Sequence, residues 1–448
     1  MLYYFKNNRP KEAIMLEILR KILLEFQSKD LNYIAKREQT FPVVPGKATV
    51  ITGMRRAGKT SFCYQKMREL MDAGTDRNQI LYLNFEDDRL SGLQLKDCQT
   101  ILDAYYSLYP DNRKKECWFF FDEVQNVPEW ERFVRRLLDT TDIHIVLTGS
   151  SSKLLTSEIA TAMRGRSINA EIMPFSFREY LQYRHVFDTI PEYLSDDDIA
   201  HLRYEMENYF QLGGFPEVYH SPDLSTRIKI LQEYNDLVMF KDVIERHKVT
   251  NTVALRLLLN ALYKSNAQKF SVTAFWKVLN SGMQVKCSKN DLLEFMNYLE
   301  EAFIVARTSL LSKSEKAKTV NPNKVYMIDV GLVRAMEEDP EANKGWLLEN
   351  LVYLHLRRNG FAVNYVITSD RKEVAFYAFN KITREKLLIQ VSWSLADEET
   401  RKREVTPLLK ASQGMNIKKK LIVTWNEEDT LEEGIQVVPI WKYLIGRC

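Results

Sequence analysis

The sequence predicts an α/β protein that opens with a parallel sheet covered by helices. A mostly helical region follows, and a second α/β region closes the chain. Three observations carry this. Short continuous apolar runs such as ATVIT, CWFFFDE and IHIVLTGS alternate with helical stretches, the pattern of parallel strands buried on both faces. A glycine-bracketed loop, GMRRAGKTS over Gly53–Ser61, joins the first of those runs to a helix. Beyond about residue 222 the alternation gives way to helices, and strands return in number only after Gly345.

Taken in order, residues 11–39 carry apolar positions at helical spacing and predict one or two helices. Pro42, Pro45 and Gly46 punctuate the entry to the strand KATVIT. KTSFCYQKMRELMDAG predicts a helix capped at Gly74, and QILYLNFED, CWFFFDE and IHIVLTGS predict further strands. This domain is expected to close near LGGFPEVYH. Residues 225–306 read as helices, and with a strand pair reaching KVYMIDVG they resemble a winged helix. WLLENLVYLHLRRNG predicts a helix, AVNYVIT, EVAFYAF and KLLIQVSWS predict strands, and a charged helix and a final strand KKLIVTW complete the chain. The domains expected are an N-terminal helical segment at 1–40, a nucleotide-binding domain at 41–222, a helical and winged-helix region at 223–340, and a C-terminal domain at 341–448.

With 45% apolar and 27% charged residues the chain has globular composition, and a net charge of +3 neither demands nor excludes nucleic acid. Five scattered cysteines without paired spacing argue against a zinc site or a disulfide framework and suit a reducing cytosol. The N-terminus meets charge after five residues, and no apolar run approaches the roughly 20 residues that span a bilayer, so a soluble cytoplasmic protein is expected.

The loop fits G-x-x-x-x-G-K-[ST], and each position has a physical reason. Gly53 and Gly58 allow a tight turn in which the amides through Arg56, Ala57 and Ser61 face phosphates. Lys59 supplies a point charge to the β- and γ-phosphates, and Thr60 offers a hydroxyl to Mg²⁺ at a helix N-terminus. The strand CWFFFDE ends in Asp122, suited to hold the metal, and Glu123, suited to activate water. IHIVLTGSSS ends in hydroxyls, Thr148, Ser150 and Ser151, of which one can meet the γ-phosphate or the attacking water, or simply cap a helix. Arg164 and Arg166 in MRGRS are candidates to neutralise developing charge, in cis or from a neighbouring subunit.

ITGMRRAGKTS, LYLNFEDDR, FFFDEVQNVPEWE, LTGSSSKLL, RGRS with MPFSFREYL, and GGFPEV occur in that order. Together they resemble prokaryotic AAA-superfamily ATPases that carry a C-terminal domain of unknown function. The resemblance implies an additional-strand, catalytic-glutamate P-loop core, a winged-helix segment, and a C-terminal domain similar to restriction-endonuclease-like folds. Relatives of that last fold use a helix glutamate, a strand aspartate and a glutamate-x-lysine pair to hold Mg²⁺. Here Glu349 fits the first position, but Ala375, Gln390 and Ser392 occupy the others, and Glu373 is expected on the opposite strand face. Nuclease activity is therefore not expected. The reading is an ATP-binding protein that hydrolyses ATP with Mg²⁺ as a switch. The alternative is a nucleotide-dependent DNA- or protein-binding scaffold with negligible turnover. DNA would meet the winged helix through Lys313, Lys316, Lys318 and Lys324, a protein partner would meet the C-terminal domain, and homo-oligomers are compatible with both. A small-molecule kinase is disfavoured by the Asp122–Glu123 pair.

Overall fold

The structure, a computed structural model, describes residues 9–31, 35–149, 163–283, 285–339 and 343–447. It divides into two compact units, Met1–Ile172 and Met173–Cys448, a boundary inside the 41–222 span expected for the nucleotide-binding domain.

In the first unit, helix α1 (Arg9–Ser28) precedes β1 (Ala48–Thr52), α2 (Lys59–Asp72), β2 (Ile80–Asn84), α3 (Gln99–Leu108), β3 (Trp118–Asp122), α4 (Trp130–Thr140), β4 (His144–Gly149) and β5 (Ser167–Glu171). The strands form one sheet in the order β2-β3-β4-β1-β5, and every neighbouring pair is parallel. The continuous apolar runs become strands covered on both faces: all five residues of β1 and of β3 are buried. Leu19 and Leu23 of α1, Ile101 and Tyr105 of α3 and Val134 and Leu137 of α4 pack with Phe119 and Phe121 of β3 in one core. The α2 cap falls where expected: Gly74 takes φ 100° and donates to the Met71 carbonyl at 3.0 Å. β5, with the polar sequence SINAE, lies at the sheet edge, half exposed, and no apolar run announces it.

The second unit contains two sheets. β6 (Lys269–Phe270), β7 (Val305–Thr308) and β8 (Asn323–Met327) pair antiparallel in the order β6-β8-β7, and the helices Val272–Lys277 and Lys289–Glu301 lie between β6 and β7 in the chain. The segment expected as an open basic loop folds in part: Ser314 caps a helix over Glu315–Val320. Its last lysine, Lys324, lies in β8 at 4% exposure, so it is not available to a phosphate backbone as expected.

The larger sheet holds β9 (Phe361–Ile367), β10 (Glu373–Asn380), β11 (Lys386–Val391), β12 (Lys420–Thr424), β13 (Asp429–Leu431) and β14 (Ile435–Pro439), in the order β13-β14-β12-β11-β10-β9. The sheet is mixed, since β11, β12 and β14 run parallel while β9–β10, β10–β11 and β13–β14 are antiparallel. The helix Glu398–Met415 buries Leu408 and Ala411 against Val374 and Leu388. KKLIVTW, expected as the last strand, is β12, and two short strands follow it. Among the described residues no helix is long and apolar enough to cross a membrane.

Candidate functional site

The loop Gly53–Ser61 leaves the carboxyl end of β1, which lies between β4 and β5, and enters α2. Gly53 sits at φ 150°, and a Cβ there would stand 2.0 Å from the Ile172 carbonyl oxygen, so only glycine fits. Gly58 takes φ 96°, and Arg56 adopts a left-handed φ of 66°, a conformation that non-glycine residues adopt at an energetic cost. Ala57 is fully buried, and its carbonyl accepts a 2.8 Å bond from the Arg37 guanidinium. Arg37 is itself anchored to α2, because its N–H donates to the Gln65 side chain at 2.7 Å.

Lys59 opens α2 at 6% exposure, and its ammonium donates to the loop carbonyls of Gly53 at 3.2 Å and Met54 at 3.3 Å. Ser61 follows in the same first turn, half-buried. The Thr60 hydroxyl donates to Asp122 Oδ2 at 2.9 Å. That same oxygen accepts the Tyr82 hydroxyl at 2.7 Å, and Oδ1 accepts the Thr148 hydroxyl. Three hydroxyls from α2, β2 and β4 therefore converge on one carboxylate that is 2% exposed at the end of β3. Burial, and then the Asp122 charge, push the Tyr82 phenol far above its ordinary value, so Tyr82 remains a donor.

Glu123 turns off the strand in a left-handed conformation at φ 51°, its N–H donates to Thr148 Oγ1 at 3.1 Å, and its carboxylate accepts from the Gln125 amide. Thr148 thus serves Asp122 and Glu123. Ser150 and Ser151 lie outside the described residues. Arg164 is exposed at φ 50°, and Arg166 pairs with Asp139 of α4. The Arg166 carbonyl accepts from the Ala48 N–H at 2.9 Å, which puts both arginines at the entry edge of β1. The loop leaves the other end of that strand, roughly 13 Å away at 3.3 Å per residue.

Thr60 and Asp122 offer hard oxygen donors side by side, a set that would fit Mg²⁺ were phosphate oxygens and water to supply the remaining ligands. Among the described residues no group of three or more His, Cys, Asp or Glu forms a separate metal site.

A second polar site lies in the other unit. Glu349, Glu373, Ala375, Gln390, Ser392 and Glu404 line one cavity of about 680 Å³. Glu373 was expected on the opposite face, but it lines the same cavity as Ala375, in a stretch of β10 that shifts register between Val374 and Tyr377. Lys324 places its ammonium 2.5 Å from Glu349 and 2.8 Å from Glu373, and Lys269 takes the other Glu373 oxygen at 2.6 Å. Burial lowers the Lys324 ammonium's affinity for its proton, but the two glutamates outweigh burial and raise it overall. Gln390 accepts from the Ala375 N–H at 2.6 Å and donates to Glu404 at 2.7 Å, while Arg403 donates to the other Glu404 oxygen at 2.9 Å.

Arg37, Tyr82 and Gln125 escaped the sequence reading. Tyr82 sits inside the apolar run ILYLN and reads as core, and Arg37 sits in AKREQ and reads as a solvated charge.

A family model described as an AAA domain matches residues 45–181, and a model described as a domain of unknown function (DUF8612) matches residues 203–343. The uncharacterized protein MJ1544 of Methanocaldococcus jannaschii is 34% identical over 443 residues, 95% of each chain. An uncharacterized protein of Haemophilus influenzae is 29% identical over 396 residues, covering 88% of this chain and 94% of that one. Among solved structures, the Aeropyrum pernix ORC2 protein (ADPNP-ADP complexes) aligns with a TM-score of 0.35 at 11% identity, covering 78% of this chain and 94% of that one. With an AAA domain on a five-stranded parallel core and a relative matched along 95% of both chains, the chain belongs with MJ1544 in a family of P-loop AAA-type ATPases.

Proposed function

We propose that the chain binds ATP with Mg²⁺ at Gly53–Ser61 and hydrolyses it as a switch coupled to its C-terminal regions. The observation that carries this reading is the convergence of Thr60 and Asp122, with Glu123 next in the chain, at the loop that Lys59 opens into α2. When bound, Mg²⁺ neutralises phosphate charge. Lys59 moves from the loop carbonyls to the β- and γ-phosphates, and the loop amides bind their oxygens. Glu123, released from Gln125, orients a water and accepts its proton. Arg164 and Arg166, at the entry edge of β1, act on the nucleotide of a neighbouring copy, which makes turnover depend on self-association. Glu123→Gln should bind ATP at wild-type affinity while losing about a hundredfold or more in turnover. Hydrolysis at the wild-type rate would remove Glu123 from the base role.

A second reading, a nucleotide-dependent scaffold on DNA, is favoured by the exposure of Lys313 and Lys316 beside the three-stranded sheet, an arrangement read as a winged helix. Gel-shift titrations at two salt concentrations test it: phosphate-driven binding weakens steeply with salt, and Lys313→Ala with Lys316→Ala should flatten that slope. The C-terminal cavity is read as an interaction site without nuclease activity, because Glu349, Glu373 and Glu404 each already meet a lysine or arginine. Cleavage of plasmid DNA with Mg²⁺ or Mn²⁺, lost in Glu349→Ala, would overturn that.

A further inference from the structure

We infer that Tyr82 is a positioning residue for the metal-holding carboxylate, and that through Tyr64 and Lys29 it ties Asp122 to the chain that follows α1. The inference rests on the reading of Asp122 as the Mg²⁺ carboxylate. Tyr82 is 7% exposed, and packing alone would be met by phenylalanine. Its hydroxyl instead bonds Asp122 Oδ2 at 2.7 Å, the oxygen that also accepts Thr60 at 2.9 Å, while Thr148 holds Oδ1. With donors on both oxygens the carboxylate has one orientation, and Oδ2 stays directed at the hydroxyl of the phosphate-binding helix.

On its other side the Tyr82 ring meets Tyr64 of α2 edge-on, with centres 5.6 Å apart, and Phe26 of α1 at 5.4 Å. Lys29, just past α1, donates to the Tyr64 hydroxyl at 2.8 Å and lies 5.1 Å and 5.7 Å from the Tyr64 and Tyr82 ring centres. A polar line therefore runs from Lys29 through Tyr64 and Tyr82 to Asp122, all within the first unit. A disturbance of the N-terminal helix has a physical route to the metal-holding oxygen.

The test compares binding of a fluorescent ADP with Mg²⁺ and with EDTA in the full chain. Tyr82→Phe should bind metal-free ADP within about twofold of wild type, and its Mg²⁺-dependent gain should fall by about tenfold, the scale of outer-shell losses at metal sites. Lys29→Met and Tyr64→Phe, at less buried positions, should lower the same gain by about two- to threefold, and they keep the idea testable if Tyr82→Phe fails to fold. An unchanged gain in Tyr82→Phe overturns the inference. So does an equal loss with and without Mg²⁺, which would mark Tyr82 as loop packing. A wild type with no gain from Mg²⁺ overturns the underlying reading of Asp122, and the inference with it.

Discussion

Two sites in this chain are built around acidic side chains, and they treat those charges in opposite ways. At the phosphate loop, Asp122 takes its hydrogen bonds from three neutral hydroxyls, and the nearby ammonium of Lys59 rests on loop carbonyls. Neutral donors orient a carboxylate without cancelling its charge, so the site retains attraction for a cation and for the nucleotide that brings it. In the C-terminal cavity, Lys324 lies between Glu349 and Glu373 at 2.5 Å and 2.8 Å, and Arg403 bonds Glu404 at 2.9 Å. Those charges are already cancelled from within the fold. The number of carboxylates in a site therefore says less about its chemistry than the kind of donor each one faces.

The largest effect is expected at the first site. Lys59→Ala removes the loop ammonium expected to move onto phosphate, and nucleotide binding should fall below detection in a fluorescence titration. Retention of binding within about tenfold would mean that loop amides alone hold the phosphates. At the second site the damage should be to stability. Lys324→Met leaves Glu349 and Glu373 without their shared cation, an expected loss of about 3–5 kcal/mol read from the urea midpoint of the second unit. The double variant Lys324→Met with Glu349→Gln should recover part of it. A Lys324→Met midpoint equal to wild type would show that water, not the fold, neutralises the cavity.

The comparison also separates what the sequence could show from what it could not. Strands β1 to β4 and the loop were legible because burial on both faces demands continuous apolar runs, and phosphate binding demands glycines at fixed spacing. β5 was not, because an edge strand with one face in water needs no apolar run, and SINAE has none. β13 was missed for its brevity, three residues, whereas β14, IQVVP, is as long as β12 and was left out of a reading that ended at KKLIVTW. The candidate nucleotide residues lie as far apart as Thr60 and Asp122, 62 positions, but each falls in a short pattern with its own local signature, so their roles were readable. Lys324, Lys269 and Glu373 come from separate strands, and only the three-dimensional structure brings them together. That is why the cavity was read as short of charge when it is instead internally neutralised.

A third buried carboxylate sharpens the contrast and predicts a smaller effect. Asp329 accepts from the Gly214 N–H at 2.7 Å and the Leu332 N–H at 3.1 Å, and burial pushes its carboxyl up to about 6 despite those amides. An ordinary aspartate titrates near 3.9, so between about pH 4 and pH 6 the folded chain keeps a proton that the unfolded chain has lost. Stability from this group is present below pH 4 and falls as pH rises through 6, by up to about 3 kcal/mol. Carboxyl NMR of ¹³C-aspartate-labelled protein should show one group titrating near pH 6 that disappears in Asp329→Asn. If every aspartate titrates below pH 5, amides alone stabilise this charge as well as hydroxyls do.

The smallest stability effect is expected at Arg166, whose guanidinium pairs with Asp139 on the surface, with side chains 38% and 52% exposed. Solvent screens such a pair, and Arg166→Ala should change stability by less than about 1 kcal/mol, against several for Lys324. That small cost makes the variant informative about function. Arg166 stands at the strand end opposite the phosphate loop, so the proposed action on another copy has a signature that a structural role within one copy would not give. The expected signature is a turnover number that rises with wild-type protein concentration, stays flat in Arg166→Ala, and is restored in part by mixing Arg166→Ala with Lys59→Ala. In that mixture the Lys59→Ala copy supplies the arginine while the Arg166→Ala copy binds the nucleotide. Full activity of Arg166→Ala at every concentration would reduce Arg166 to the surface ion pair the geometry already shows.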